Sequence, residues 1–228
     1  MLVIFDCDGV LVDSEIIAAR VNVELLGEAG FQITAEEAAS RFAGMSDEQI
    51  FSAVEAELGR AIPDEFLARC ESEIDRRLED EVEAVAGVYE MLDALDAARC
   101  ICSNSGLGRL AITLERTGLY DRFRPYIYSA SEVRDGRKKP APDVFLHAAE
   151  ELEAAIEETL VIEDSSHGVA GAVAAGMGVI GFIGASHSWP GHGEALMDAG
   201  ALTVIRRLAD VPATVEALDG WDRQALNL

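Results

Sequence analysis

The sequence predicts an α/β protein in which a parallel sheet is wound between helical layers and interrupted by an all-helical insertion. Three observations predict it. Short apolar runs alternate with longer amphipathic stretches over most of the chain, the pattern of parallel strands buried on both faces and joined by helices. The alternation fails only between about Ser14 and Val85, where no strand-like run occurs. Finally, 228 residues, half of them hydrophobic and few aromatic, suffice for a sizeable core with a smaller inserted unit.

The expected strands are residues 2–5, 100–102, 160–162, 179–183 and 202–205, each an apolar run of strand length. In the interrupted interval, residues 15–29, 35–43, 47–58 and 64–78 have helical periodicity. Thr34 precedes Glu37 at capping-box spacing, Gly30 and Gly59 follow helical stretches, and Pro63-Asp64 opens the next. The alternation resumes from Gly87, with helices expected at 88–97 and 109–117 and a surface helix at 147–158. The core is therefore discontinuous, residues 1–14 and 85–228, with residues 15–84 inserted.

A formal net charge of −24 repels nucleic acid and anionic membrane surfaces, so neither is an expected partner. It also repels any anionic substrate, so an anion site must be made locally positive by a lysine, a metal or backbone N–H groups. Cys7, Cys70, Cys100 and Cys102 lack metal-type spacing and read as reduced packing residues. The chain starts on an apolar strand, without a basic leader or a long apolar segment, and a cytoplasmic location is the expectation.

Four segments bear chemistry. In FDCDGVLVDS, the first strand delivers Asp6 and Asp8 to the carboxyl edge of the sheet, where open α/β folds build their sites, and Gly9 leaves room for close approach. An acidic pair after a strand can equally cap a turn, so the rest of the chain decides. In RKKPAPD, Lys138 and Lys139 are the sole lysines among 18 basic residues; one ammonium can hold both a carboxylate and a phosphate oxygen, and Pro140 and Pro142 stiffen the loop. In VIEDSSHG, another buried strand delivers Glu163 and Asp164, and with Asp6 and the carbonyl of Asp8 these suit Mg²⁺. In ICSNSG, Ser103 and Asn104 stand before a helix, where anions are favoured. Together they meet the needs of phosphoryl transfer: a nucleophile, charge neutralisation and a proton for the leaving group.

In order, FDCDGVLVDS, ICSNS, KKPAPD and VIEDSSHGVAGAVAAGM resemble the four signature motifs of the haloacid dehalogenase superfamily, in the branch of β-phosphoglucomutase and phosphoglycolate phosphatase. The resemblance spans nearly the whole chain and implies a Rossmann-like doubly wound core with a helical cap closing over the site. It implies that Asp6 is the nucleophile forming an aspartyl-phosphate, that Asp8 is general acid and then base, and that Ser103 and Lys139 bind the phosphoryl group. Mg²⁺ would be held by Asp6, the Asp8 carbonyl and Asp164, with Glu163 a ligand directly or through water.

The departures narrow the chemistry. Haloacid dehalogenases generally lack the second aspartate, which here is Asp8. Phosphonatases use a cap lysine, and residues 1–137 contain none. The cap histidine and arginine of β-phosphoglucomutases align with Ala18 and Asp47, which disfavours a mutase and leaves hydrolysis of a small phosphorylated metabolite, a sugar phosphate or a phosphorylated sugar acid such as 6-phosphogluconate. Arg20, Arg41 and Ser46 are the cap candidates for specificity. The alternatives are a β-phosphoglucomutase-like mutase and, from a different class, a non-catalytic receiver-like phosphoacceptor, which needs neither the second aspartate nor the helical insertion. Gly176, Gly178 and Gly181 match GxGxxG but precede a strand, which is wrong for dinucleotide binding. The loop from His187 to His192 is expected to cover the core rim, having no nearby carboxylate pair in sequence for a metal, and His167 to lie near the site without a catalytic role.

Overall fold

The strand β1 (Leu2–Phe5) is apolar and buried at every position, which places it inside the sheet. The structure, a computed structural model, describes residues 1–42, 45 and 47–219. Among these, β1 joins β2 (Ala98–Ser103), β3 (Ile127–Ser129), β4 (Thr159–Glu163), β5 (Gly178–Phe182) and β6 (Thr203–Ile205) in one six-stranded sheet. Every neighbouring pair is parallel, and the order is β3-β2-β1-β4-β5-β6. The direction of winding reverses between β1 and β4, and at such a reversal the carboxyl ends of the strands border a crevice.

Between β1 and β2 run α1 (Glu15–Glu28), α2 (Ala35–Arg41), α3 (Asp47–Leu58), α4 (Asp64–Glu81) and α5 (Val88–Ala94). After β2 come α6 (Leu107–Arg116) and α7 (Tyr120–Phe123), and α8 (Asp143–Glu151) precedes β4. The remaining helices are α9 (Ser166–Ala174), α10 (His192–Asp198) and α11 (Val211–Asp219). Alternate strand residues enter two apolar clusters, Val3, Phe5, Ile101 and Ile162 on one face and Leu2, Ile4, Cys100 and Val161 on the other. The first cluster continues into Val21, Leu25, Phe51 and Ile74, so α1, α3 and α4 share their apolar faces with that side of the sheet.

No strand lies between Glu15 and Glu81 among the described residues. The chain leaves for α1 and returns from α4 side by side: Asp13 N–H donates to Glu83 O at 2.9 Å, Val85 N–H donates to Leu11 O at 3.0 Å, and Val12 and Ala84 form an antiparallel bridge. Thr34 and Glu37 form the reciprocal capping box of α2, and Gly30 and Gly59 take positive φ after α1 and α3. Among the described residues no helix is long and apolar enough to cross a membrane.

Three elements differ from expectation. β3 has three residues at the sheet edge, two of them only partly buried, too few to show an alternation. The helix expected at 147–158 is instead α8, starting four residues earlier behind Pro142 and ending at Glu151. Glu153 then takes a φ of 50° and Ala154 N–H turns back to Ala149 O at 2.8 Å, because the chain must reverse to enter β4. The helix expected at 88–97 stops at Ala94, since Leu95 is already extended.

Candidate active site

β1 lies between β2 and β4, so the residues that leave these three strands converge. Asp6 follows Phe5 and donates its N–H to Ile162 O at 3.0 Å, carrying the β1–β4 ladder one residue past the strand. Ser103 closes β2 and Glu163 closes β4. Lys139 arrives from the loop before α8, and its ammonium, 2% exposed, donates to Asp6 Oδ1 at 2.6 Å, Glu163 Oε1 at 2.6 Å and Cys102 O at 2.7 Å. Lys138 is exposed. Of the two adjacent lysines, the fold thus brings to Asp6 the one that the motif resemblance singles out.

Asn104 fixes that loop. Its side chain accepts from Lys139 N–H at 2.8 Å and donates to Lys139 O at 3.4 Å. Both ends of the amide therefore serve the backbone that presents Lys139.

Asp8 is held by three hydroxyls. Ser14 Oγ donates to Oδ1 at 2.7 Å, while Ser103 Oγ at 3.2 Å and Ser105 Oγ at 2.8 Å donate to Oδ2. Of these three serines the sequence singles out Ser103 alone; Ser14 and Ser105 close the motifs FDCDGVLVDS and ICSNS without a role assigned to them there. The turn that places Asp8 needs Gly9, which has a φ of +77° and where a Cβ would lie 1.9 Å from Asp164 Oδ2.

Glu163 is fully buried. Its Oε2 accepts from Ser165 N–H at 3.1 Å and Ser165 Oγ at 3.0 Å, and a Cβ on Gly168 would lie 1.8 Å from Oε1, so α9 leaves this carboxylate no second position. Asp6, Glu163 and Asp164 each offer a carboxylate oxygen within 4.8 Å of the others, and all three are buried. Burial and the charges of Glu163, Asp164 and Asp8 push the Asp6 carboxyl well upward against the pull of Lys139. For Lys139, burial is outweighed by Asp6 and Glu163, which keep the ammonium charged. The three carboxylates, two of them held by the one ammonium, make an all-oxygen donor set of the kind that fits a hard divalent cation such as Mg²⁺.

The loop from His187 to His192 corrects the expectation that it only covers the rim. His187 Nε2 is 3.0 Å from Asp164 Oδ2, and His192 Nε2 is 2.6 Å from Asp164 O. Burial opposes a charge on His187, but Asp164, Glu15 and Asp13 outweigh it and raise its pKa to about 9. The carboxylates missing beside this loop in the sequence come from the chain that enters α1 and from the residue after β4, both distant in sequence.

Among the described residues, neither Arg20 nor Arg41 forms a hydrogen bond or ion pair with this constellation. Arg41 pairs with Glu57 and sits over the rings of Phe31 and Phe42, 5.5 Å and 5.2 Å from their centroids. Arg20 is exposed on α1, and Ser46 lies outside the described residues. All four cysteines are buried and unpaired, as expected. Gly176 precedes β5 and Gly178 and Gly181 lie within it, so the GxGxxG match is no phosphate loop, and His167 is exposed at the start of α9.

Comparison with known proteins gives the same assignment as these motifs. The model of the haloacid dehalogenase-like hydrolase family matches residues 3–182. The 6-phosphogluconate phosphatase of Escherichia coli is 30% identical over 226 residues, covering 96% of each chain. A haloacid dehalogenase-like protein of unknown function from Agrobacterium tumefaciens superposes with a TM-score of 0.92 at 50% identity, covering 95% of this chain and 98% of that one. A family hydrolase from Deinococcus radiodurans, with bound phosphate and sodium, superposes with a TM-score of 0.81 at 34% identity, covering 95% of each chain. With its motifs gathered at the carboxyl ends of β1, β2 and β4, the chain belongs to the haloacid dehalogenase-like hydrolase family.

Proposed function

We propose that the protein is a Mg²⁺-dependent phosphatase of small phosphorylated carbohydrates, working through an aspartyl-phosphate on Asp6. The observation that carries this reading is the pairing of two unlike carboxylates at the end of β1. Asp6 is buried against the Lys139 ammonium at 2.6 Å, and Asp8 is held by three hydroxyls. A carboxylate beside a fixed cation is a nucleophile directed at an electron-poor centre, and one fixed by hydroxyls is oriented for proton transfer.

In the first step an Asp6 carboxylate oxygen forms a bond to phosphorus, the bond to the ester oxygen breaks, and that oxygen takes the proton from Asp8. In the second, Asp8 takes a proton from water, the water oxygen attacks phosphorus, and the bond to Asp6 breaks, releasing inorganic phosphate and restoring both carboxyl groups. Ser103 and Lys139 hold the phosphoryl oxygens. Asp6, Asp164 and the Asp8 carbonyl would hold Mg²⁺, with Glu163 alongside; the ion supplies charge neutralisation for the phosphoryl group. Glu163 also acts by fixing Lys139, and Asn104 by presenting it.

The helical segment, residues 15–84, acts as a cap that excludes water and contributes to specificity. A phosphorylated sugar acid is the favoured substrate, because the Escherichia coli 6-phosphogluconate phosphatase matches over nearly its full length. Asp47, which accepts from Asn22 Nδ2 at 3.1 Å, puts a carboxylate where a mutase cap has an arginine, and it favours hydrolysis over transfer. The test is phosphate release from a panel of sugar phosphates and phosphorylated sugar acids with Mg²⁺. Asp6→Asn and EDTA should each abolish release. Interconversion of sugar phosphate isomers would establish a mutase instead, and a stable phosphoprotein without turnover would establish a phosphoacceptor.

A further inference from the structure

The loop from Ser186 to His192 grips one residue of the site at two points. His192 is 1% exposed; its ring stacks on Trp189 at 3.8 Å and 13° and takes a contact from Ser188 Oγ at 3.3 Å on Nδ1. That leaves Nε2–H to donate to the Asp164 carbonyl at 2.6 Å. His187 approaches the same residue from its side chain, with Nε2 at 3.0 Å from Oδ2. The loop is tied to the core just before the helical segment, where Ser186 donates to Asp13 through both its N–H, at 3.2 Å, and its hydroxyl. Beneath the ring of His187, Gly9 has no side chain, and a Cβ there would lie 2.8 Å from His187 Cε1. Room for this imidazole is built into the first motif.

We propose that His187 and His192 are positioning residues for the metal site: they clamp Asp164 at its carboxylate and at its carbonyl, and so hold in place the side chain that would bind the cation together with Asp6. The inference rests on the Mg²⁺ reading above. An aspartate free to turn about its Cβ–Cγ bond presents either oxygen, or neither, to an ion; a donor fixed on Oδ2 removes that freedom, and a second donor on the carbonyl fixes the backbone from which the side chain springs. Carboxylate ligands are usually held by such outer hydrogen bonds, and losing one typically costs about 10- to 100-fold in metal affinity.

The test is metal binding to the full chain without substrate, with Mg²⁺ followed by calorimetry and Mn²⁺ by electron paramagnetic resonance. His187→Ala and His192→Phe, the latter keeping the stack on Trp189, should each weaken binding by about 10- to 100-fold. His187→Gln retains a donor and should recover part of the loss. At saturating metal the variants should regain most of their kcat, as expected for residues that act through a ligand. Folding is checked by near-ultraviolet circular dichroism. Lower thermal stability with an unchanged dissociation constant in both variants would overturn the proposal and leave the loop a packing element. Absence of Mg²⁺ and Mn²⁺ binding by the wild type would overturn the metal reading itself, and the clamp with it; binding lost in Asp164→Asn but intact in both histidine variants would overturn the clamp alone.

Discussion

Replacing Lys139 by methionine tests the electrostatics of the site without emptying its volume, because the two side chains are similar in length and methionine adapts to irregular packing. The ammonium has three partners at 2.6 to 2.7 Å and is 2% exposed, and Glu163 is 0% exposed. Removing it strands Glu163 with only the Ser165 donors and leaves Asp6 without its cation. Breaking a buried pair from one side costs about 3–5 kcal/mol, which for a chain of this size is a fall of about 6–20 °C in Tm at about 2–4 °C per kcal/mol. Urea unfolding in EDTA, followed by circular dichroism, measures the loss with no metal to compensate. Glu163→Gln in the Lys139→Met background removes the stranded charge and should return part of the stability, with a coupling within the range of about 0.5–3 kcal/mol seen for contacting pairs. A loss below about 1 kcal/mol, the scale of an exposed ion pair, would refute the claim that Lys139 neutralises a buried cluster.

Gly168→Ala should lower the urea midpoint by the equivalent of about 1–3 kcal/mol, because the new Cβ would meet Glu163 Oε1 at 1.8 Å; an unchanged midpoint would mean that the carboxylate has another place to go. The ion pair between Arg109 of α6 and Asp75 of α4, 2.6 Å with side chains 26% and 43% exposed, joins the helical segment to the core through a partly wet contact. Asp75→Asn should therefore cost less than about 1 kcal/mol in thermal unfolding, and a larger fall would show that the pair anchors the segment. Burial pushes the thiols of Cys7 and Cys102 well upward and that of Cys70 to about 12, so at pH 8 these groups remain neutral. A disulfide reagent should find almost no reactive thiol in the native protein and four after denaturation; rapid native reaction would mean that a thiol is more open than its packing implies.

The sheet and the site were legible to different depths. Strands such as Leu2–Phe5 and Thr159–Glu163 are buried on both faces, so their apolar runs are continuous and easily seen. β3 escaped because an edge strand of three residues needs little apolar surface. Asp6, Asp8, Lys139, Glu163 and Asp164 could be found because each follows directly on a strand or stands in a distinctive local context. Ser14, Ser105, His187 and His192 could not be placed, since hydroxyls and imidazoles acquire a role only when the fold brings them to Asp8 or Asp164 from elsewhere. Arg41 shows the converse: an arginine in a suggestive loop, whose pairing with Glu57 no local pattern foretold.

The two strands of chain that link the core to its helical segment lie against each other at the Val12–Ala84 bridge. To the sheet, everything from α1 to α4 is a single long excursion that ends where it began, so its length is invisible to the register of the strands. One excursion can therefore replace another, provided the newcomer offers an apolar underside to the residues that Val21 and Leu25 now help to cover. On the cap reading proposed above, the chemistry of the edge and the choice of what reaches it can then change at separate rates, one held by the strands and the other set by a segment whose exchange leaves the strands in place.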